Sequence, residues 1–290
     1  MTYLEVAIRL PVDAAESLAW ALTEWGLPGL VMEERKPDEP AKKQATLKAY
    51  LPEVSPDLSL ENLRQFLISA LGTDTPFDLE ARSLPEEDWA TSWQQYWHVQ
   101  RIGERLVIRP SWEPYEPQPQ DLVITLDPKQ AFGTGTHPTT RLCLRAIERM
   151  AAAGPLGTVY DVGAGSGILS IAALLLGAPT ALAVDTDPVA VASAEENAQL
   201  NHVSDRMRNQ VGSADGLPGQ AEIVFANILA EVIISLASEL YAHTATGGAL
   251  IASGIIARKA DEVARVLEEV GFRIVDRESE GEWIGLLARR

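Results

Sequence analysis

Three glycines at alternate positions, Gly163, Gly165 and Gly167, follow a short apolar run that carries Asp161, and a second apolar run further along ends in Asp185. Each residue type has a use in that order. Alternate glycines let a chain turn sharply where a strand meets a helix, and let backbone N–H groups approach a ligand with no Cβ in the way. A carboxylate at the tip of the next strand can accept hydrogen bonds from a ribose diol. The spacing therefore describes a nucleoside-binding loop. The dinucleotide fingerprint G-x-G-x-x-G needs its third glycine at the position that Ile168 holds. A pyrophosphate also favours a helix N-terminus free of negative charge, whereas Asp161 sets a carboxylate at the mouth of the loop. That carboxylate suits a cationic ligand end, and S-adenosylmethionine presents a sulfonium and an α-ammonium beside its ribose.

Two further stretches carry candidate chemistry. In Phe225-Ala226-Asn227-Ile228-Leu229, Asn227 stands where an apolar strand gives way to a helix. Its side-chain carbonyl can hold the N–H bonds of an amine and aim the nitrogen lone pair at a methyl donor, without a charge that would keep the amine protonated. A simple helix cap is the competing use. The segment Ala131-Phe132-Gly133-Thr134-Gly135-Thr136-His137-Pro138-Thr139-Thr140 leads into a helical run at 141–150, with Pro138 suited to a first turn. Flexible glycines beside Phe132 point to a loop that folds over a bound ligand, a capping loop without ligand contact being the alternative. His137 reads as a turn or capping residue. No metal is expected, because His98, His137, His202 and His243 lack ligand spacing.

These residues need a scaffold. Strands are expected near 158–162, 180–185, 207–212, 222–227 and 248–253, with helices at 167–176, 188–201, 229–242 and 257–270, the alternation that builds a parallel sheet covered on both faces. Runs at 272–276 and 283–288 read as a closing hairpin. An antiparallel strand finishing an otherwise parallel sheet is common in class I methyltransferases and unusual in dinucleotide domains. At the front, strands at 3–10, 29–34, 45–51 and 77–82 alternate with helices at 14–25 and 59–71, the second opened by Ser59, in the βαββαβ order of a ferredoxin-like sandwich. Trp89, Trp93 and Trp97 then recur every fourth residue, as on one face of a linker helix, before a proline-crowded loop at 110–119. The expected organisation is a small ferredoxin-like α+β domain at 1–84, a linker helix at 85–98, and an α/β doubly wound domain with a C-terminal antiparallel hairpin at 99–290.

Composition sets outer bounds. A chain of 290 residues with 46% hydrophobic content fits two globular domains. With no apolar run long enough to span a bilayer and no signal-peptide core, a cytoplasmic protein is expected. The single cysteine, Cys143, excludes an internal disulfide and lies between two leucines, as a core residue would. A net charge of -17 argues against a grip on nucleic-acid phosphates and makes a basic partner the easier fit. Acid excess is densest at the front, where residues 1–98 hold 8 Lys and Arg against 17 Asp and Glu.

With the glycine loop, Asp185, Asn227-Ile228-Leu229 and AFGTGTHPTT in this order, the chain resembles the bacterial methyltransferases that modify large-subunit ribosomal protein L-eleven. The likeness covers nearly the whole chain, and AFGTGTHPTT and ANIL are its most specific parts. The resemblance implies a class I methyltransferase that uses S-adenosylmethionine to methylate lysine ε-amino groups, and the α-amino terminus, of that basic ribosomal protein, the front domain gripping the substrate. It implies donor contacts at Thr140, Gly163, Asp185 and Asn227, with Asp161, Gly165 and Gly167 completing the glycine loop. It further implies that Phe132, Gly133 and Thr134 close over the methionine end. Read from the residues alone, an RNA methyltransferase and an NAD-dependent oxidoreductase are the alternatives. The acidity of the front domain speaks against the first, and the missing third glycine against the second.

Overall fold

The computed structural model of the chain describes residues 2–25, 27, 31–32, 44–52, 59–72, 75–85, 97–127, 135 and 137–290. Packing divides the chain into two units, Met1–His98 and Val99–Arg290. Trp89 and Trp93 of the expected linker helix lie outside the described residues.

The front unit runs β1 (Thr2–Pro11), α1 (Val12–Glu24), β2 (Val31–Met32), β3 (Gln44–Pro52), α2 (Leu60–Leu71) and β4 (Asp78–Pro85). Its antiparallel sheet has the order β2-β3-β1-β4, so each βαβ half straddles a strand of the other. Alternation explains the core: Val6, Ile8 and Leu10 of β1 turn the same way and meet Leu18 and Leu22 of α1 and Leu63 and Leu67 of α2. Ser59 caps α2, its hydroxyl accepting from the Asn62 amide at 3.2 Å.

The second unit begins with β5 (Gln100–Ile102), β6 (Leu106–Pro110), β7 (Leu122–Leu126) and α3 (Pro138–Ala153). Then come β8 (Val159–Val162), α4 (Ile168–Leu175), β9 (Ala181–Asp185), α5 (Pro188–Leu200), β10 (Met207–Val211) and β11 (Ala221–Asn227). The remainder is α6 (Ala230–Ser235), α7 (Ala237–His243), β12 (Thr244–Ile256), α8 (Ala260–Glu269), β13 (Arg273–Glu280) and β14 (Trp283–Arg289). Strands β8 to β14 form one sheet in the order β10-β9-β8-β11-β12-β14-β13. Among its strands β14 alone runs against the common direction, and it lies between β12 and β13 rather than at the edge. Arg290 continues that pairing, donating its amide to the Gly248 carbonyl at 3.2 Å and accepting from the Gly247 amide at 3.0 Å.

Both faces of this sheet are covered at its centre, so residues of the inner strands alternate between two apolar layers rather than between core and water. Val159, Ala183, Ile223, Phe225 and Ile251 pack with α3, α4 and α5, while Tyr160, Val162, Val184, Val224 and Leu250 pack with α6, α7 and α8. Counting in twos from Val159 and Ile223 puts Asp161 and Asn227 on the face covered by α3 to α5.

The structure departs from expectation in three places. The helix expected at 229–242 breaks into α6 and α7 around Leu236, where the Ser235 hydroxyl donates to the Val232 carbonyl at 2.9 Å and competes with the helical ladder. Strand β12 is longer than expected, reaching back to Thr244. Strands β5, β6 and β7 form a small separate sheet that the sequence did not reveal, since runs of three to five residues are too short for alternation to show. That sheet is pinned to α3 by Glu148, 9% exposed, whose carboxylate accepts from the amides of Glu104, Arg105 and Leu106 at 2.9, 2.7 and 3.1 Å. Glu148→Ala strands these donors and should lower stability by about 3 kcal/mol in urea unfolding; a loss below about 0.5 kcal/mol, the scale of an ordinary surface substitution, would contradict the assignment.

Candidate active site

Beyond β8 the chain turns through Gly163, Ala164, Gly165, Ser166 and Gly167 into α4. The three glycines have φ of +73°, +54° and +78°, a left-handed conformation that side chains resist, which accounts for their alternate spacing. The amides of Gly163 and Ala164 donate to the Val184 carbonyl at 2.9 and 3.1 Å. The Gly165 amide donates to Asp185 Oδ2 at 2.8 Å, and Asp185 Oδ1 accepts from the Asp187 amide at 3.0 Å. Asp185 therefore braces the loop from the tip of β9. Its half-buried carboxylate keeps lone pairs for a ligand hydroxyl.

Asp161 does not stand at the mouth of the loop, as its place in the sequence suggests. It lies beneath it, 1% exposed, because its position in β8 faces the covering helices. Ser170 of α4 donates both its amide and its hydroxyl to Asp161 Oδ2, at 3.2 and 2.9 Å. Among the described residues nothing donates to Oδ1. Burial pushes the carboxyl up to about 6, the Ser170 hydrogen bonds pulling it down and the Asp185 charge adding to the rise.

Asn227 ends β11 at 9% exposure, with Nδ2 3.5 Å from Thr140 Oγ1 in the first turn of α3. Helix α6 starts after Leu229 with no side-chain cap, so Asn227 does not serve as a helix cap. Among the described residues nothing donates to its buried Oδ1. Strands β8 and β11 are neighbours with Phe225 opposite Asp161, so two buried acceptor oxygens stand on one face at the carboxyl ends of adjacent strands. A loop of left-handed glycines beside two buried acceptors without donors fits a ligand with a hydrogen-donating, cationic end.

Of AFGTGTHPTT, Phe132, Gly133 and Thr134 lie outside the described residues. Gly135 is buried, and a Cβ there would come 2.3 Å from Ile108 and 3.0 Å from Ile168, so Gly135 itself lies against β6 and the first residue of α4. His137 caps α3, its Nδ1 2.8 Å from Thr139 Oγ1, and packs edge-on against Trp283 at 4.9 Å. Burial, with Arg141 adding to it, pulls its pKa down to about 4, so it is a neutral capping residue. Cys143 is buried in the core beside these groups.

Sequence reasoning missed Asn197 and Asn201. Asn197 is fully buried; its Nδ2 donates to the Ser166 carbonyl and its Oδ1 accepts from the Asp127 amide, both at 3.0 Å, tying the glycine loop to the end of β7. Asn201 accepts from the Thr125 amide at 2.8 Å and donates to the Thr125 carbonyl at 2.6 Å. Two asparagines four apart, hence on one face of an alanine-rich helix, were the available signal.

Two buried groups titrate in opposite senses. An unfolded imidazole takes up its proton near pH 6.5 and the folded His137 only near 4, so acidification across that window favours the unfolded chain. The folded Asp161 protonates near 6 and the unfolded carboxyl near 3.8, so acidification there favours the folded chain. In the ligand-free protein, Asp161→Asn should therefore steepen the fall of Tm between pH 6.5 and 4, and His137→Asn should flatten it. Superimposable Tm profiles for the two variants, measured by circular dichroism, would refute this account.

Comparison with known proteins identifies the family. The family model described as "Ribosomal protein L11 methyltransferase (PrmA)" matches residues 2–290. Relatives named ribosomal protein L11 methyltransferase are 42% identical in Geobacter metallireducens, covering 99% of this chain and 97% of the relative, and 39% identical in Bacillus subtilis, covering 100% of both. The crystal structure of the ribosomal protein L11 methylase from Lactobacillus delbrueckii subsp. bulgaricus superimposes with a TM-score of 0.63 at 40% identity, covering 67% of this chain and 99% of that one. A family match over residues 2–290, joined to the class I sheet order and the glycine loop, makes this chain a member of the ribosomal protein L11 methyltransferase family.

Proposed function

We propose that this protein transfers methyl groups from S-adenosylmethionine to lysine ε-amino groups, and to the α-amino terminus, of ribosomal protein L11. The observation that carries the proposal is the pair of buried acceptors, Asp161 Oδ1 and Asn227 Oδ1, for which the described residues supply no donor. A buried acceptor left unsatisfied costs about 1–3 kcal/mol, so the site favours ligands that bring N–H groups and positive charge. When bound, S-adenosylmethionine supplies a sulfonium methyl group open to attack by an amine. Asp161, Asp185, Thr140 and the loop of Gly163, Gly165 and Gly167 would hold it, with Phe132, Gly133 and Thr134 closing over its methionine end. The names of the full-length relatives support L11 as the acceptor protein.

Asn227 has the properties that an amine acceptor requires. Lysine ionises near pH 10.4, so a neutral amine must be presented at the site. A carboxamide oxygen accepts the N–H bonds of that amine without the charge by which a carboxylate would stabilise ammonium. Thr140 contacts the other end of the carboxamide, which fixes the direction of Oδ1. At 9% exposure, Asn227 receives an amine that has shed most of its water, and this desolvation lowers its pKa further. No general base is assigned.

The division of labour we propose is a substrate-gripping region at 1–84, a linker helix at 85–98 and a catalytic region at 99–290. The acid excess of the front region supports a basic protein rather than RNA as its ligand. A ribosomal protein as the acceptor, as the relatives' names have it, supports a cytoplasmic reaction.

Incubation with methyl-labelled donor and a ribosomal protein extract should label L11, with mass spectrometry locating the label on lysines; label confined to RNA would overturn the proposal. Asn227→Ala should lower turnover by roughly a hundredfold or more while calorimetry still shows some donor binding. Unchanged turnover would remove Asn227 from the mechanism.

A further inference from the structure

We infer that Gly254 is a positioning residue for methyl transfer, because its missing Cβ is what lets the peptide after Asn227 occupy its place. The inference rests on the reading just given. In the β11–β12 register Asn227 pairs with Ser253, so Ile228 follows directly on the end of β11 and Gly254 is the next residue of β12. Gly254 has φ +81°, and a Cβ there would come 2.1 Å from the Ile228 carbonyl oxygen, 2.7 Å from its carbonyl carbon and 3.1 Å from its nitrogen. All three are backbone atoms, which cannot rotate away as a side chain can. The β12–β14 ladder shifts register between Ala252 and Ile255, so the approach is made at an irregularity, the kind of feature that re-aims a chain beside a site.

The other side of Ile228 is equally close. A Cβ on Gly163 would come 2.2 Å from Ile228 Cγ2. Ile228 is thus held between two left-handed glycines, one in the loop assigned to the methyl donor and one in β12. Through that sandwich the backbone of Asn227 is set relative to the glycine loop, while Thr140 meets its side chain. Filling the Gly254 side would displace the Ile228 peptide and carry Asn227 Oδ1 with it.

Left-handed strain alone is the competing explanation, and the same strand contains its control. Gly247 has φ +80°, yet no described atom lies within 4 Å of where its Cβ would stand. Gly254→Ala and Gly247→Ala therefore impose the same backbone strain, and only the first meets Ile228. Assayed with S-adenosylmethionine and L11, Gly254→Ala should lower kcat by roughly ten- to a hundredfold, the scale expected for a misplacement of about an ångström. Its calorimetric Kd for S-adenosylmethionine should change far less than kcat, and Gly247→Ala should keep the parent kcat.

A double-mutant cycle separates positioning from general damage. In an Asn227→Ala background, Gly254→Ala should lower kcat no further, since the group it misplaces is gone. Gly254→Asn carries the same test if the alanine variant does not fold, because asparagine tolerates the left-handed backbone while keeping the Cβ. Parent kcat in a folded Gly254 variant, or losses that simply add to that of Asn227→Ala, would overturn the inference while leaving the methyl-transfer reading intact. A parent protein that methylates no L11 amine would overturn that reading, and the inference with it.

Discussion

The inner strands of a sheet covered on both faces offer no water-facing row for polar side chains, so they can carry them only near their ends, and each one must find partners there. Asp161 and Asn227 occupy such places, each two residues beyond a fully buried apolar neighbour, Val159 and Phe225. Ser170 satisfies half of one carboxylate and Thr140 meets the amide end of the other side chain. The remaining two oxygens are where the fold leaves its own hydrogen bonding unfinished. Most of what surrounds them holds them still: Asp185 braces the glycine loop, and Asn197 ties the same loop to β7.

Thr140 depends in turn on how α3 is seated, and a matched pair of spacings seats it. Arg141, Arg145 and Arg149 recur every four residues on α3, while Glu280, Glu278 and Asp276 recur every two on β13. Four helical residues rise about 6 Å and two strand residues about 7 Å, so the two rows stay in step. Arg145 reaches Glu280 and Glu278, and Arg149 reaches Asp276 and Glu278. Each half-exposed pair is worth little alone. Together they seat the helix on the hairpin and load the outermost strand of the sheet with charge, which discourages pairing with another chain.

Much of this was legible in the residues. The alternate glycines, the Asp185 strand tip and the hairpin could be read because each depends on local chemistry: a left-handed backbone, an apolar run with a polar end, a turn between two runs. The direction of Asp161 needed the parity of β8 and a knowledge of which layer lay on which side, and so it was misjudged. Glu148, Asn197 and Asn201 went unseen for a related reason. Their partners are backbone amides and carbonyls 31 to 76 residues away, and backbone groups leave no trace in residue type. The small sheet of β5 to β7 was hidden by its brevity, and the break at Leu236 by a serine whose side reaction with the helix ladder has no periodic signature.

Placing β14 between β12 and β13 has a consequence for how the polypeptide assembles as it is made. Residues 283–289 leave the ribosome after every other strand of this sheet, yet they fill an interior slot. Until they arrive, the long hydrophobic flank of β12 has no mate on that side and β13 has nothing to join. The nascent second unit must wait with an open seam, during which a neighbouring chain could dock where β14 belongs. The front unit, whose four strands all lie within the first 85 residues, is under no such delay and can be complete while its companion is still being translated.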